Sequence, residues 1–144
     1  MRVESKKWFV AKVNVSGTDD TDGPHGFVVD ATSFTEAEAR LLRSIAGSLG
    51  GTADVRRLRP AKFSEVVFSG DDADGWFQVV VSFIEDGEGR MAKISRYRMA
   101  VQAPSVEDAV ARAKAAMAGT MADYRIDKVE RAPIDGVIER TAVP

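Results

Sequence analysis

The chain contains no cysteine, which excludes disulfides, thiolate zinc sites and thiol catalysis. Its single histidine, His25, excludes a two-histidine metal site and leaves one imidazole for any histidine-based triad. Long apolar runs are missing as well. The stretches present, such as Val79-Val80-Val81, are too short to cross a bilayer. Lys7 runs straight into Trp8-Phe9-Val10-Ala11-Lys12 without the apolar core of a signal peptide, so a cytoplasmic location and no membrane partner are expected. Nor does one sign of charge dominate: 20 Lys and Arg face 22 Asp and Glu, a net charge of −2. That balance argues against a broadly cationic nucleic-acid coat but leaves room for a local basic patch.

What remains is the composition of a folded domain. The 144 residues are 44% hydrophobic and 29% charged, richer in apolar side chains than a disordered chain. A domain of this length buries roughly 70% of its extended-chain surface, so it needs no metal or disulfide staple. No cofactor is expected.

The chain reads as if written twice. Trp8-Phe9 is echoed by Trp76-Phe77, and Val29-Asp30-Ala31-Thr32-Ser33 by Val101-Gln102-Ala103-Pro104-Ser105. Glu36 to Arg40 matches Asp108 to Arg112. Val55, Leu58, Ala61, Phe63 and Val66 match Ile126, Val129, Ala132, Ile134 and Val137. The offset moves from 68 (8 to 76) through 72 (29 to 101) to 71 (55 to 126), placing the length differences in loops, where insertions are tolerated. Repeat 1 covers about 8–68, repeat 2 about 76–138, and 139–144 form a tail.

Each copy predicts strand, strand, helix, strand. Phe9, Ala11, Val13 and Val15 alternate with polar or outward residues, the period of a half-buried strand. Gly17 to Pro24 is turn chemistry, and a second strand is expected at 26–32. Ser33 begins a helix as a capping box with Glu36. Its stripe is Phe34, Ala37, Leu41 and Ile45, and Gly47 or Gly50-Gly51 should end it. A third strand follows at 53–59. The second copy repeats the order with strand faces Phe77, Val79, Val81, Phe83 and Tyr97, Met99, Val101, Ala103. The turn between them is Asp86-Gly87-Glu88-Gly89. Ser105 and Asp108 cap a helix with stripe Val106, Ala109, Val110, Ala113 and Met117, stopped by Gly119, and a strand at 122–131 completes the copy. This pattern predicts an α+β fold of internally duplicated β-β-α-β units, with a mostly antiparallel sheet and both helices on one face. Halves of about 70 residues bury too little alone, so a single pseudo-twofold domain is expected, with Ser69 to Gly75 as its hinge.

Three strings resemble a known family: Trp-Phe-x-x-Lys-Val at 8–13, Val-Asp-Ala-x-Ser-Phe-Thr-Glu-Ala-Glu-Ala-Arg at 29–40, and Gly-Thr-Met-x-Asp-Tyr at 119–124. They are similar to a domain family of uncharacterised role, common in Bacteroidetes genomes and their phages and mobile elements. The resemblance implies a bacterial, intracellular, phage- or mobile-element-associated protein. It carries no site residue.

Several motifs have ordinary readings. Asp19-Asp20-Thr21-Asp22-Gly23 and Asp71-Asp72-Ala73-Asp74-Gly75 lack the first acid and the final glutamate of a calcium loop and read as solvated turns. Gly87-x-Gly-x-x-Ala92 precedes a strand where a dinucleotide loop precedes a helix. His25, between Pro24 and Gly26, has no orienting carboxylate nearby in sequence and reads as an exposed loop residue. No catalytic residue and no metal ligand is assigned, and the chain is expected not to be an enzyme.

Strand parity singles out another group. If Tyr97, Met99 and Val101 face the helices, Ile94, Arg96 and Arg98 face away, together with Trp8, Val10, Lys12 and Trp76. Arg56, Arg57, Arg59 and Lys62 add charge. The candidate partner- or nucleic-acid-binding residues are therefore Trp8, Lys12, Arg56, Arg57, Trp76, Arg96 and Arg98. So much apolar surface needs cover, either by 63–68 and 134–138 or by another subunit. Tryptophan and arginine are also enriched at interfaces. The expected function is thus a non-enzymatic binding or assembly module, acting as a homo-oligomer or on a protein partner. The first alternative is a nucleic-acid accessory protein in which a tryptophan stacks a base and the cations hold phosphates. The second is an enzyme or small-ligand-binding protein with a cleft between the repeats.

Overall fold

A computed structural model of the chain describes residues 2–5, 7–18, 20–85 and 93–139. In chain order the strands are β1 (Arg2–Ser5), β2 (Trp8–Ser16), β3 (Gly23–Asp30), β4 (Thr52–Pro60), β5 (Glu65–Phe68), β6 (Gly75–Glu85), β7 (Lys93–Ala103), β8 (Asp123–Arg131) and β9 (Gly136–Ile138). Helix α1 (Phe34–Ser48) follows β3, and α2 (Val106–Ala116) follows β7. The expected turn at 86–89 and the Gly87–Ala92 string lie outside the described residues, as does the tail from 140 onward.

The chain divides into two compact units. The β2 unit, Lys6–Ala61 with Pro133–Pro144, holds a four-stranded sheet in the order β4-β2-β3-β9. The β6 unit, Met1–Ser5 with Lys62–Ala132, holds a five-stranded sheet in the order β1-β5-β7-β6-β8. The fold is α+β, and the pairings are antiparallel except for β3 with β9 and β5 with β7.

The division corrects one expectation. The loop from Ser69 to Gly75 is not a link between units, because β5 and β6 on either side of it share one sheet. Gln102, nearly buried, pins it: its Oε1 accepts from Ser69 N (3.0 Å) and its Nε2 donates to the Asp71 carbonyl (3.1 Å). Arg112 adds an ion pair to Asp74 (3.2 Å) and a hydrogen bond to the Gln102 carbonyl (2.7 Å).

Each helix covers one face of its own sheet. In the β2 unit Phe9, Ala11, Val13, Val15, Val29 and Ala31 pack with Ala37, Leu41 and Ile45. Burying Leu41 and Ile45 contributes about 1.5–3 kcal/mol each. That outweighs the roughly 1 kcal/mol a glycine costs inside a helix, so α1 runs through Gly47 and ends before Gly50, whose φ of +73° suits a glycine. In the β6 unit Phe77, Val79, Val81, Met99 and Val101 pack with Ala109, Ala113 and Met117. Phe34 and Val106, expected in the stripes, are both exposed at the first helical positions. Phe34 still packs edge-on against Phe9, 5.1 Å between centroids.

Both helices are capped as their serines predict: Ser33 Oγ accepts from Glu36 N (3.1 Å) and Ser105 Oγ from Asp108 N (3.2 Å). The Glu36 carboxylate reaches back one residue further than a capping box requires, accepting from Thr32 N (3.1 Å), and it also accepts from Arg40 (2.6 Å).

The two units share finer detail. Beside Lys12 the β2–β4 register slips, leaving Arg56 as an extra residue; beside Val80 the β6–β8 register slips, leaving Asp127 extra. Ala61 N donates to the Trp8 carbonyl (2.9 Å) and Ala132 N to that of Trp76 (3.0 Å). Asp135 N donates to Gly26 O (2.7 Å) and Ser64 N to Arg98 O (2.9 Å).

Gly26 shows how closely β9 is approached. A Cβ there would lie 1.9 Å from the Pro133 carbonyl oxygen, a backbone atom that cannot step aside. Gly26→Ala should therefore destabilise the fold by about 1–3 kcal/mol or more. Gly47→Ala, whose Cβ would meet nothing within 4 Å, should stabilise it by roughly 0.5–1 kcal/mol. Urea denaturation of both variants against the parent checks the pair.

Candidate functional site

The two bulges build comparable corners on the sheet faces away from the helices. A regular strand alternates inside and outside, and an extra residue breaks the alternation. In β4, Val55 and Leu58 pack toward α1 while Arg56 and Arg57, consecutive in sequence, are both exposed. In β8, Ile126 and Val129 pack toward α2 while Asp127 and Lys128 are both exposed.

The bulge residues carry opposite charges. Arg56 Nε pairs with Asp54 (3.2 Å), and its guanidinium donates to the Asn14 amide oxygen, turned to face it, at 3.1 and 3.2 Å. In the other unit the roles are exchanged: Asp127 accepts from Arg125 Nε (2.7 Å) and from the hydroxyl of Ser82, a buried residue at the position matching Asn14. The Ser82 hydroxyl foremost, then Arg125, holds the Asp127 carboxyl below the usual carboxylate range, and the nearby Arg96 acts in the same direction.

The corners differ in what is left over. In the β6 unit Lys128 pairs with Glu130 (3.2 Å) and Arg125 with Asp127. In the β2 unit Lys12 stands directly opposite Arg57, and Arg59 follows two residues along the same face, opposite Val10. All three cations are exposed, and none has an ion-pair partner among the described residues. Like charges set directly across an antiparallel pair repel, where opposite charges would contribute about 0.2–1 kcal/mol.

The sequence candidates therefore separate. Trp8, Lys12, Arg56 and Arg57 lie in the β2 unit; Trp76, Arg96 and Arg98 lie in the β6 unit. The structure brings Lys12 to Arg57, and Arg96 opposite Ser82 beside Asp127. Arg98 lies opposite Val80 and is half-buried, its carbonyl accepting from Ser64 N. Burial corrects the expectation for the tryptophans. Trp8 is 2% and Trp76 6% exposed, so neither indole offers a face to a partner or a base. Phe68 meets Trp76 edge-on at 5.7 Å, in line with cover by the 63–68 segment. The Trp8 Nε1 donor is buried without an acceptor among the described residues.

His25 departs from its sequence reading. It lies in β3, only 20% exposed, with Nε2 donating to the Thr21 carbonyl (2.6 Å) and its ring stacked on Phe27. A carboxylate stands 3.6 Å from Nδ1, that of Asp135, which also accepts from Gly26 N (2.7 Å). Sequence reasoning missed Asp135 because it lies 110 residues away (25 to 135). In the aspartate-rich loops Asp22 accepts from Thr18 N (2.8 Å) and Thr18 Oγ1 (2.5 Å), which lowers its pKa. Asp71 accepts from Ala73 N (2.9 Å). Asp19 lies outside the described residues.

The bulge residues could have been found. Val55 and Leu58, like Ile126 and Val129, are three apart, and a strand keeps side chains on one face at spacings of two.

By its fold the chain is an α+β protein of two similarly built units. It belongs to the family described as Domain of unknown function (DUF4494), whose model matches residues 7–140. No curated protein and no solved structure matches it. Among the described residues no helix is long and apolar enough to cross a membrane.

Asp127 supplies a pH test. A carboxyl whose folded-state pKa is depressed stabilises the fold above its unfolded value of about 3.9, and that stability is lost as pH falls through the folded value. Asp127→Asn should therefore be less stable than the parent at neutral pH, and the gap should close below about pH 4. Denaturation curves at a series of pH values measure the gap.

Proposed function

We propose that this chain is a non-enzymatic binding or assembly module, arisen by duplication of a β-β-α-β unit. It acts by self-association or on a protein partner with an acidic surface, through the Lys12, Arg57 and Arg59 corner. One observation carries this reading: two cations face each other across β2 and β4, and neither has an ion-pair partner among the described residues. An arrangement that costs stability in the free protein is relieved when carboxylates from outside fill it. Support for duplication comes from the matched bulges, the matched Ala61 and Ala132 hydrogen bonds, and the same inside-outside pattern along β4 and β8. The setting that goes with this reading is the bacterial cytoplasm, with carriage by phages or mobile elements, on the strength of the strings at 8–13, 29–40 and 119–124.

Nucleic acid is the second reading, since the same cations suit phosphates. It lacks the stacking platform first expected of it, because both indoles are buried.

Lys12→Glu tests the assignment from two sides. It turns a repulsive cross-strand pair into an attractive one, so the variant should be more stable by roughly 0.2–1 kcal/mol. The same change should weaken retention of fluorescein-labelled polyglutamate, or the self-association seen by sedimentation, by about tenfold at low salt. A variant that is less stable, or that holds the probe as before, counts against the reading. Tighter binding of single-stranded DNA than of polyglutamate, falling log-linearly between about 50 and 200 mM salt, favours the second.

A further inference from the structure

We propose that the groove between α1 and β9 receives an extended acidic peptide strand from a protein partner, added antiparallel along Gly136–Ile138. This goes beyond the Lys12 corner and uses none of its residues. The groove comprises two adjoining hollows of about 200 and 360 Å³ that share Ser44, Val137 and Ile138. The smaller has an apolar floor of Phe27, Ile45 and Leu49; the larger is flanked by Arg40 and Arg43.

The other unit shows what fits such an edge. There β5 lies parallel beside β7 with Val67 opposite Val101, as β9 lies beside β3 with Ile138 opposite Val29. On its far side β5 carries β1, antiparallel, with Val3 opposite Val67 and Glu4 opposite Val66. Among the described residues nothing pairs with the corresponding side of β9. An unpaired edge offers main-chain donors and acceptors to an incoming strand, and alternate side chains of that strand then meet one wall.

The walls set the occupant's chemistry. A residue opposite Ile138 points toward α1, as Ile138 itself does, and meets apolar surface, so it is aliphatic. Residues two positions away lie on the same face: on the Glu139 side they meet Arg40 and Arg43, and on the Gly136 side Phe27, Ile45 and Leu49. Arg40 is held by Glu36 (2.6 Å), while Arg43 makes no ion pair among the described residues. Glu139, at the end of β9, has a partner of its own. The pattern is therefore an aliphatic residue opposite Ile138, a second aliphatic residue two positions away on the Gly136 side, and a carboxylate two positions away on the Glu139 side.

The probe is a fluorescein-labelled peptide, Thr-Glu-Thr-Val-Thr-Leu-Thr, titrated with the full chain and followed by anisotropy. Saturable micromolar binding is expected, weakened about tenfold by Arg43→Glu and restored in that variant by the peptide with lysine for glutamate. Proline beside the valine should abolish binding, because the edge needs main-chain N–H groups. Amide shifts confined to β9 and the facing turn of α1 would place the strand. The proposal fails if the peptide does not bind at millimolar concentration, if Arg43→Glu changes nothing, or if the shifts fall on β2 and β4. It also fails if Arg43→Glu instead dissolves a homodimer, which would make the occupant a second copy. Lys12→Glu leaves this binding unchanged, so its failure and that of the Lys12 reading are separable.

Discussion

Val29 meets Ile138, and Val101 meets Val67, each in a short parallel rung beside the strand that precedes a helix. These rungs organise the molecule. The strand β5 follows β4 in sequence yet completes the sheet of β6 and β7; β9 follows β8 yet completes the sheet of β2 and β3. Neither sheet is therefore built from one contiguous stretch of chain. Parallel neighbours need a long crossover: β6 lies between β5 and β7 in sequence, and α1, β4 to β8 and α2 lie between β3 and β9. A truncation between the apparent repeats, near residue 70, would remove β9 from one sheet and separate β1 and β5 from the strands they extend. The tight passage of Pro133 over Gly26 belongs to the same constraint, since it delivers β9 to its place.

The bulges give the two units different surfaces. A bulge turns two consecutive side chains outward without disturbing the apolar positions on either side. Val55 and Leu58 keep their places under α1 as Ile126 and Val129 keep theirs under α2. The exposed pair is then free to vary: Arg56 and Arg57 in one unit, Asp127 and Lys128 in the other. With Ser82 beneath it, Asp127 closes a local network of hydroxyl, carboxylate and guanidinium. Asn14 and Asp54 do the same for Arg56 alone, and Lys12, Arg57 and Arg59 remain outside any such network.

Much of this was legible in the amino-acid order. Alternation in Phe9 to Val15 and Phe77 to Phe83 marked the central strands, and Ser33 and Ser105 marked the helix starts to the residue. Parity sent Arg96 and Arg98 away from α2. The short strands were not legible: four residues at Glu65–Phe68 and three at Gly136–Ile138 hold no period long enough to read, and their partners lie far off in sequence. The tryptophans misled because parity assigns a face but not what covers it. Asp135 and His25, and Asp127 and Ser82, are pairs that only the folded chain brings within reach.

The asymmetry between the units bears on function. In the β6 unit the bulge charges are matched and the edge of β5 is occupied by β1. In the β2 unit Arg56 is matched by Asp54 but Lys12 and Arg57 have no ion-pair partner, and the edge of β9 carries no strand, among the described residues. Repulsive contacts of small cost persist in folded proteins, because selection removes only losses that fall below the threshold for folding, and on the proposed reading these ones serve binding. Two differences from the β6 unit, the unpaired cations and the missing strand beside β9, fall in the β2 unit, although among the described residues β1 and β8 leave open edges in the other sheet as well. On the proposed reading the β2 unit is the copy whose unpaired cations and β9 edge are addressed to partners.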